Sequence, residues 1–378
     1  MAHILKARRI FNGQRMLHNQ AVVIEGRFIT AILKPQKIPD DAVDLGDSLL
    51  VPGFIDVQVN GGGGINLNDT PTVAGVEVIA RSHRRFGTTG LLPTVITDTA
   101  AVQQNAVDAV TAAQRHTPSI LGIHIEGPFL DTARRGAHDP ALIRAMTEAD
   151  VAWLCSLSCG KVLVTVAPNK VAPSQIARLT AAGIHVCLGH AEASAIDVEA
   201  ALAAGATGFT HLFNAMSQLG PREAGMVGTA LANVEAYAGI IPDGFHVAEE
   251  VLKLAFAARP NDRMMLVTDA MAPAAGGPDQ FKLQGRLVTR TANRLTLEDG
   301  TLAGSNLTMD EALRFCVVRL GMALEVVLPM TSTNAAAYLG LNGRLGQIEP
   351  GHLASIVQLD TKLHVINSWV EGQALHAV

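Results

Sequence analysis

Four acidic or imidazole side chains come directly after apolar runs of this sequence. Glu126 follows SILGIHI, His190 follows IHVCLG, His211 follows TGFT and Asp269 follows MMLVT. One carboxylate and two imidazoles form a donor set for a divalent cation that leaves a coordination position open for water. Burying these groups without a partner would be costly, and a shared cation removes that cost. The pattern predicts a hydrolytic metal site with Glu126, His190 and His211 as ligands.

The remaining polar residues at the ends of the apolar runs suggest how such a site would work. Asp269 is not needed as a fourth ligand, so we expect it to take a proton from water and return it to a leaving group. Gln58 and Asn60 stand where many hydrolytic barrels carry His-x-His, and amides are poor ligands for transition metals. The sequence therefore predicts one cation per chain, with both amides hydrogen-bonding beside it. Zinc is the expected ion, and Fe²⁺, Co²⁺ or Mn²⁺ would also suit the ligands.

Composition favours a compact protein that acts on small solutes. Of 378 residues, 48% are hydrophobic and 17% are charged, and the formal net charge is −5. No run of like charges appears, which argues against nucleic acid or an anionic membrane as a partner. The N-terminal stretch lacks the apolar core of a secretory signal, and the four cysteines form no CxxC pair. We expect a cytoplasmic protein with reduced cysteines.

Eight apolar runs alternate with alanine-rich stretches of helical periodicity, a pattern typical of an α/β fold. The predicted strands cover 49–60, 88–96, 119–129, 161–169, 184–191, 207–216, 236–245 and 264–271. The pattern predicts a (β/α)₈ TIM barrel, in which the carboxyl ends of the strands meet at one opening. Both chain ends instead alternate and turn as antiparallel strands do. We expect residues 1–50 and 346–378 to form a small β-sandwich domain, and 51–345 the catalytic barrel.

The motifs PGFIDVQVNG, HIEGPF, RGAH, GHA, THLFNAM, GPREAG, DGFH and TDAM occur in this order along the chain. They resemble those of the N-acetylglucosamine-6-phosphate deacetylase family, within the amidohydrolase superfamily, over essentially the whole sequence. The resemblance implies a barrel with a small β-sandwich, a homodimer, and hydrolysis of the substrate's acetamide to glucosamine 6-phosphate and acetate. It also implies a place in amino-sugar catabolism and cell-wall recycling.

The resemblance carries roles over to individual positions. It implies Glu126, His190 and His211 as metal ligands, Asp269 as the proton shuttle and His138 as the group that polarises the acetyl carbonyl. It implies that Arg222 binds the substrate phosphate at the partner's site across a dimer interface. The other implied substrate-binding residues are Ala137, Asn214, Ala215, Asp243, His246 and, in a lid over the substrate, Leu302, Ala303 and Gly304.

Other interpretations stay open at this point. The same chemistry could act on N-acetylgalactosamine 6-phosphate, since few contacts read one epimeric hydroxyl. A non-catalytic sugar-phosphate-binding barrel is a further alternative, although the complete set of four chemical residues speaks against it. A cyclic amidase similar to dihydroorotase is disfavoured, because the His-x-His motif and an in-strand lysine are missing. Individually, Glu126 could cap a helix, Arg222 could pair with Glu223 at the surface, and His138 or His246 could be ordinary loop residues.

Overall fold

The computed structural model describes residues 2–376, which form two large sheets, a four-stranded sheet and a two-stranded ribbon. The first eight strands are β1 (Ala2–Phe11), β2 (Met16–Glu25), β3 (Phe28–Leu33), β4 (Val43–Asp44), β5 (Leu49–Pro52), β6 (Phe54–Val59), β7 (Gly61–Gly62) and β8 (Ile65–Asn66). The next seven are β9 (Thr88–Ile96), β10 (Gly122–Glu126), β11 (Lys161–Val166), β12 (His185–Leu188), β13 (Gly208–Phe209), β14 (Tyr237–Ile240) and β15 (Met264–Leu266). The last seven are β16 (Gln280–Leu283), β17 (Arg286–Thr291), β18 (Arg294–Leu297), β19 (Leu302–Ser305), β20 (Ile356–Leu359), β21 (Val365–Val370) and β22 (Gln373–Ala374).

Ten α-helices accompany these strands within the described residues. They are α1 (Val73–Arg84), α2 (Ala100–Ala113), α3 (Glu148–Ser156), α4 (Pro173–Ala181), α5 (Ala195–Ala203), α6 (Gly225–Ala232), α7 (Glu249–Ala258), α8 (Met309–Arg314), α9 (Leu324–Thr331) and α10 (Thr333–Tyr338). Several begin at a hydroxyl cap: the side chains of Thr72, Thr99, Thr147 and Ser194 each accept a hydrogen bond from a backbone N–H of the first turn. Within residues 2–376, no helix has both the length and the apolar character needed to cross a membrane.

The central sheet is a parallel barrel in the order β6-β9-β10-β11-β12-β13-β14-β15. A bridge between Val59 and Ala270 closes it, and the Asp269 N–H donates to the Gln58 carbonyl at 3.0 Å. Helices α1 to α7 lie between consecutive barrel strands along the chain. All nine residues of β9 are buried, as expected for a strand with side chains packed on both faces. The predicted (β/α)₈ fold is confirmed.

A second sheet combines both chain ends, in the order β22-β21-β20-β5-β1-β2-β3, with β4 alongside β1. Its buried core includes Leu5, Ile24, Ile356 and Trp369. The predicted strand 49–60 is wrong as a single element, because β5 belongs to this sheet and β6 to the barrel. The chain crosses between them at Gly53, where a Cβ would lie 1.9 Å from the Thr89 Oγ1. We propose the domain division 1–50 with 346–378, and 51–345; the crossover at Gly53 lies just beyond this boundary, at the end of β5.

Strands β16 to β19 form an antiparallel sheet inserted between β15 and α8, which the sequence interpretation missed. Its turns contain Gln-Gly, Ala-Asn and Asp-Gly at 284–285, 292–293 and 299–300, so alternation and turn residues could have revealed it. Leu283, Val288 and Ala303 of this sheet pack in one cluster with Ile96 at the end of β9 and Met271 in the loop after β15. The inserted sheet therefore covers one side of the barrel opening.

Candidate metal and substrate site

The side chains of Glu126, His190 and His211 meet at the carboxyl ends of β10, β12 and β13. Glu126 Oε1 lies 3.2 Å from His190 Nε2 and 3.1 Å from His211 Nε2, and the two Nε2 atoms are 2.9 Å apart. A triangle with these sides leaves a point about 2 Å from all three atoms, the usual distance for zinc ligands. These three predicted residues therefore have the spacing of a metal donor set.

His138 belongs to the same group of side chains. Donor atoms of Glu126, His138 and His190 lie within 4.8 Å of one another, which makes His138 a possible third ligand in place of His211. His211 is the better choice, because its Nε2 is the atom that directly contacts both other donors. His138 Nδ1 is instead engaged by Thr97 Oγ1 at 2.7 Å.

Hydrogen bonding prepares His190 for a cation. Its Nδ1 lies 3.0 Å from the Arg134 carbonyl, which can only accept, so the ring proton of neutral His190 is on Nδ1. The lone pair of Nε2 then points at the donor triangle, the arrangement found in metal-binding histidines. The residues present thus fit a divalent cation, with Glu126 as the anionic donor and His190 as a neutral one.

The strand ends carry strained backbone at the residues that form the site. His190, His211 and Asp269 have φ values of 49°, 32° and 52°, in the left-handed region that non-glycine residues rarely adopt. These turns follow β12, β13 and β15, which end earlier than the predicted strands 184–191, 207–216 and 264–271. Such backbone persists only where surrounding contacts enforce it, and it clusters at functional sites.

Burial and hydrogen bonds set the charges of the donor triangle. Burial alone would raise the pKa of Glu126, but the adjacent side chains of His190 and His211 hold it well below the ordinary value. Burial likewise opposes the charged form of His211, but its hydrogen bond to Glu126 raises its pKa overall. The carboxylate is therefore ionised and attracts positive charge to this point, from a proton or from a cation.

Asp269 lies beside the donor triangle and accepts hydrogen bonds from two side-chain amides. One belongs to Gln58 in β6, and the other to Asn60 directly after that strand. Asn60 Nδ2 donates to Asp269 Oδ1 at 2.6 Å, and Gln58 Nε2 donates to the same oxygen at 3.1 Å. Gln58 Nε2 also contacts both carboxylate oxygens of Glu126, at 3.2 and 3.3 Å. Gln58 and Asn60 thus hydrogen-bond to the acidic side chains beside the donor triangle, where the sequence analysis expected them.

The environment of Asp269 suits a group that gains and loses a proton near neutrality. Burial, followed by the negative charge of Glu126, raises the pKa of Asp269 to about 6. A cation bound to Glu126 would offset the second cause. A carboxyl group with a pKa near the working pH can act as both general base and general acid.

A cavity of about 550 Å³ opens above these residues. The predicted site residues that line it are Asn60, Glu126, Ala137, His138, His190, His211, Asn214, Ala215, His246, Asp269, Leu302, Ala303 and Gly304. The last three lie on β19 of the inserted sheet, where Gly304 approaches Met271 so closely that a Cβ would be 2.5 Å from its Cγ. The segment expected to be a lid is therefore one wall of the cavity in this structure.

Two predicted substrate-binding residues lie elsewhere. Asp243 does not line the cavity, but its Oδ2 lies 2.6 Å from Nδ1 of His246, which does. Arg222 is exposed on the loop between β13 and α6 and is not one of the residues that line the cavity of its own chain. Glu223, suggested as its surface partner, instead accepts hydrogen bonds from the backbone N–H groups of Ala195 and Gly225 at 2.9 and 3.0 Å.

The cavity also contains residues that the sequence interpretation did not include. They are Ile96, Thr132, Ala133, Arg134, Arg135, Gly136, Met271, Leu283 and Thr301. Arg135 is the first residue of the RGAH motif and Arg134 directly precedes it, so their proximity to His138 along the chain was a usable signal. Ile96 and Leu283 come from segments distant in sequence, and only the packing of the inserted sheet brings them together.

This chain is similar to known proteins over most of its length. The sequence profile of the amidohydrolase family matches residues 49–375. An N-acetylgalactosamine-6-phosphate deacetylase of Shewanella sp. (strain ANA-3) is 43% identical over 330 residues, which cover 86% of this chain and 83% of that protein.

Two solved structures are similar along their whole length. N-acetylglucosamine-6-phosphate deacetylase from Pasteurella multocida has a TM-score of 0.96 and 30% identity, and all of both chains is covered. A mutant of the Mycobacterium smegmatis N-acetyl-D-glucosamine-6-phosphate deacetylase, in complex with N-acetyl-D-glucosamine-6-phosphate, has a TM-score of 0.93, 30% identity and the same complete coverage. The chain therefore belongs to the amidohydrolase family, among the N-acetylhexosamine-6-phosphate deacetylases.

Proposed function

We propose that this chain hydrolyses the acetamide of N-acetylglucosamine 6-phosphate, giving glucosamine 6-phosphate and acetate. The observation that carries the proposal is the meeting of Glu126, His190 and His211 within 3.2 Å of one another, at a cavity that Asp269 and His138 also line. An inert sugar-binding barrel would not need a metal donor set beside an acid–base carboxyl group.

We assign the metal to Glu126, His190 and His211, with one ion per chain. We propose zinc as the ion, and the same carboxylate and imidazole ligands also suit Fe²⁺, Co²⁺ and Mn²⁺. A bound divalent cation polarises a carbonyl oxygen and makes a water molecule acidic enough to act as a nucleophile near neutral pH.

The protein's own groups supply the remaining steps. Asp269 accepts a proton from the water molecule as its oxygen attacks the acetyl carbonyl carbon. His138 donates a hydrogen bond to the carbonyl oxygen, where negative charge develops. Asp269 then returns the proton to the nitrogen as the C–N bond breaks, which releases the sugar amine and acetate.

Acetate release from defined substrates tests the proposal. We expect turnover of N-acetylglucosamine 6-phosphate, with kcat/KM lower by at least about tenfold when the phosphate is missing, because a charged handle contributes binding energy. The galacto epimer is measured in parallel, since the relative with 43% identity is named for it. No acetate from either phosphorylated epimer would refute the proposed function, and faster turnover of the galacto epimer would change the assigned substrate.

We also propose a homodimer in which Arg222 reaches the partner's site. The loop that carries Arg222 has a defined shape, because Gly220 N donates to the Glu223 carbonyl at 2.9 Å and the Glu223 side chain is tied to the start of α5. Two exposed apolar residues accompany it: Leu219 in the loop is 60% exposed and Ile196 at the start of α5 is 77% exposed. The loop is held in one shape, exposes apolar side chains, and carries an arginine that does not line the cavity of its own chain. Such a loop suits a contact with a second copy of this chain.

The Arg222→Ala variant tests this arrangement. We expect KM for the phosphorylated substrate to rise about 10- to 100-fold with little change in kcat, since a guanidinium–phosphate contact is lost. Co-expression of Arg222→Ala with Asp269→Asn then separates the two geometries. Mixed dimers should regain low-KM turnover, because the Asp269→Asn chain lends its Arg222 to the intact catalytic groups of its partner. Failure of the mixed dimer to recover would place Arg222 within its own chain's site or outside substrate binding.

The cytoplasm is the compartment we propose. All four cysteines are free, three of them buried and Cys155 exposed. An exposed thiol stays reduced in a reducing compartment such as the cytoplasm.

A further inference from the structure

Thr97, the residue after β9, contacts the ring of His138 with two of its atoms. Its Oγ1 lies 2.7 Å from His138 Nδ1, and its backbone N–H donates to the same nitrogen at 3.4 Å. Both residues are buried, with Thr97 at 0% and His138 at 4% exposure. No other hydrogen-bond partner of His138 Nδ1 is found among residues 2–376.

The backbone contact decides which nitrogen of the ring carries the proton. A backbone N–H can only donate, so Nδ1 of His138 is the acceptor and its neutral ring is protonated on Nε2. The threonine hydroxyl can donate as well: its alternative acceptor, the Glu126 carbonyl, is 3.5 Å away, at the limit of a hydrogen bond. Two donors on Nδ1 leave the N–H at Nε2, on the opposite side of the ring.

We infer that Thr97 is a positioning residue that fixes His138 in the Nε2–H tautomer, so that the ring donates a hydrogen bond to the substrate carbonyl. This inference rests on the proposed function, since a donor is needed at His138 only if a carbonyl is polarised there. The opposite tautomer would present a lone pair to the carbonyl oxygen and repel it.

Three neighbouring residues fix the position of Thr97 and of Ile96 before it. Gly127, with φ at 89°, leaves room for the hydroxyl, because a Cβ at this position would be 2.1 Å from Thr97 Oγ1. Gln284 of the inserted sheet donates to the Thr97 carbonyl at 2.5 Å, and Asn68 Oδ1 accepts from the N–H of Ile96 at 3.0 Å. The glycine of the HIEGPF motif therefore serves the Thr97–His138 pair as well as the turn itself.

The inserted sheet also contacts the backbone next to His138, the other member of the pair. Arg286 donates to the carbonyl of Ala137, the residue before His138. Gln284 and Arg286 thus bind the backbone on both sides of the Thr97–His138 contact. The sequence analysis did not predict this sheet. Its contacts help to orient His138, whose ring the proposed reaction uses.

Substitution of the hydroxyl, with its rescue, tests the inference. We expect Thr97→Val to lower kcat about 10- to 100-fold with KM and metal content unchanged, which is the usual cost of losing a partner that orients a site residue. Thr97→Ser keeps the hydroxyl and should return kcat to within about threefold of the wild type. A serine variant as impaired as the valine variant would show that the methyl packing matters and overturn the inference, as would a valine variant with wild-type kcat.

The tautomer itself is read independently of turnover. Nitrogen-15 histidine spectra of the zinc-loaded wild-type chain, with the His138 signals assigned by loss in His138→Gln, should show the proton on Nε2. A proton on Nδ1 would overturn the inference even if acetate is released. Absence of acetate release from the wild type would instead refute the proposed function, whatever the spectra show. The spectra of the wild type keep the test decisive if Thr97→Val does not fold.

Discussion

Asp269→Asn should lower kcat by about 10²- to 10⁴-fold, the usual contribution of a general acid–base group. The asparagine cannot accept a proton from water or return one to the amine nitrogen. Its carbonyl oxygen can still accept the hydrogen bonds that Asn60 and Gln58 donate to Asp269 at 2.6 and 3.1 Å. Metal content and substrate affinity should therefore stay close to those of the wild type. Stopped-time acetate assays, metal analysis and calorimetric titration of the variant with substrate measure the three quantities.

A matched control separates loss of chemistry from loss of a buried carboxylate. Asp310 is 4% exposed, accepts from Thr308 and Arg314, and does not line the cavity. Asp310→Asn should lower the melting temperature without changing kcat of the folded enzyme. Turnover of Asp269→Asn within tenfold of the wild type would remove Asp269 from its assigned role.

His211→Ala should cost the protein both its metal and its activity. The substitution removes one of three donor atoms that lie 2.9 to 3.2 Å apart, and the two that remain hold an ion far more weakly. After dialysis, we expect about one ion per chain in the wild type and less than about a tenth of that in the variant. Activity should fall by more than about 10²-fold and return in part at high added metal.

His124 provides the control for this experiment. It is a buried barrel histidine two residues before Glu126, and its Nε2 contacts Thr165 Oγ1 at 2.7 Å. Burial lowers its pKa to about 4, so it is neutral, as a ligand would be, but it does not line the cavity. His124→Gln should retain about one ion per chain. Two tightly held ions in the wild type, or full metal content in His211→Ala, would contradict the assigned ligand set.

The residues with proposed chemical roles could be singled out because of where they stand in the chain. Glu126, His190, His211 and Asp269 each end an apolar run, and parallel strands of a barrel bring such ends to one opening. Their residue types then restricted the chemistry to a metal site with an acid–base carboxyl group. To propose these roles, one needs to know only the order of the strands along the chain. The apolar periodicity of the sequence indicates that order.

Thr97 and the inserted sheet could not be predicted in the same way. A threonine after a strand is ordinary, and its importance depends on a histidine 41 residues away whose ring lies 2.7 Å from its hydroxyl. Likewise, the break of the run 49–60 at Gly53 depends on the close approach of Thr89 from a neighbouring strand. An unbroken apolar run of that length looks the same whether it serves one sheet or two.

The sequence by itself determined the α/β barrel, and it was enough to propose which side chains bind the metal and which one acts as acid and base. Only the tertiary structure decided which ring nitrogens of His138 and His190 are held by protein groups, and which sheet closes the cavity. It also decided how Gln58 connects Glu126 and Asp269, which lie 68 and 211 positions further along the chain. The physical reason is the range of the interactions. Apolar periodicity and strand-end polarity are local properties, whereas tautomers and hydrogen-bond partners depend on distances of a few tenths of an ångström between segments far apart in sequence.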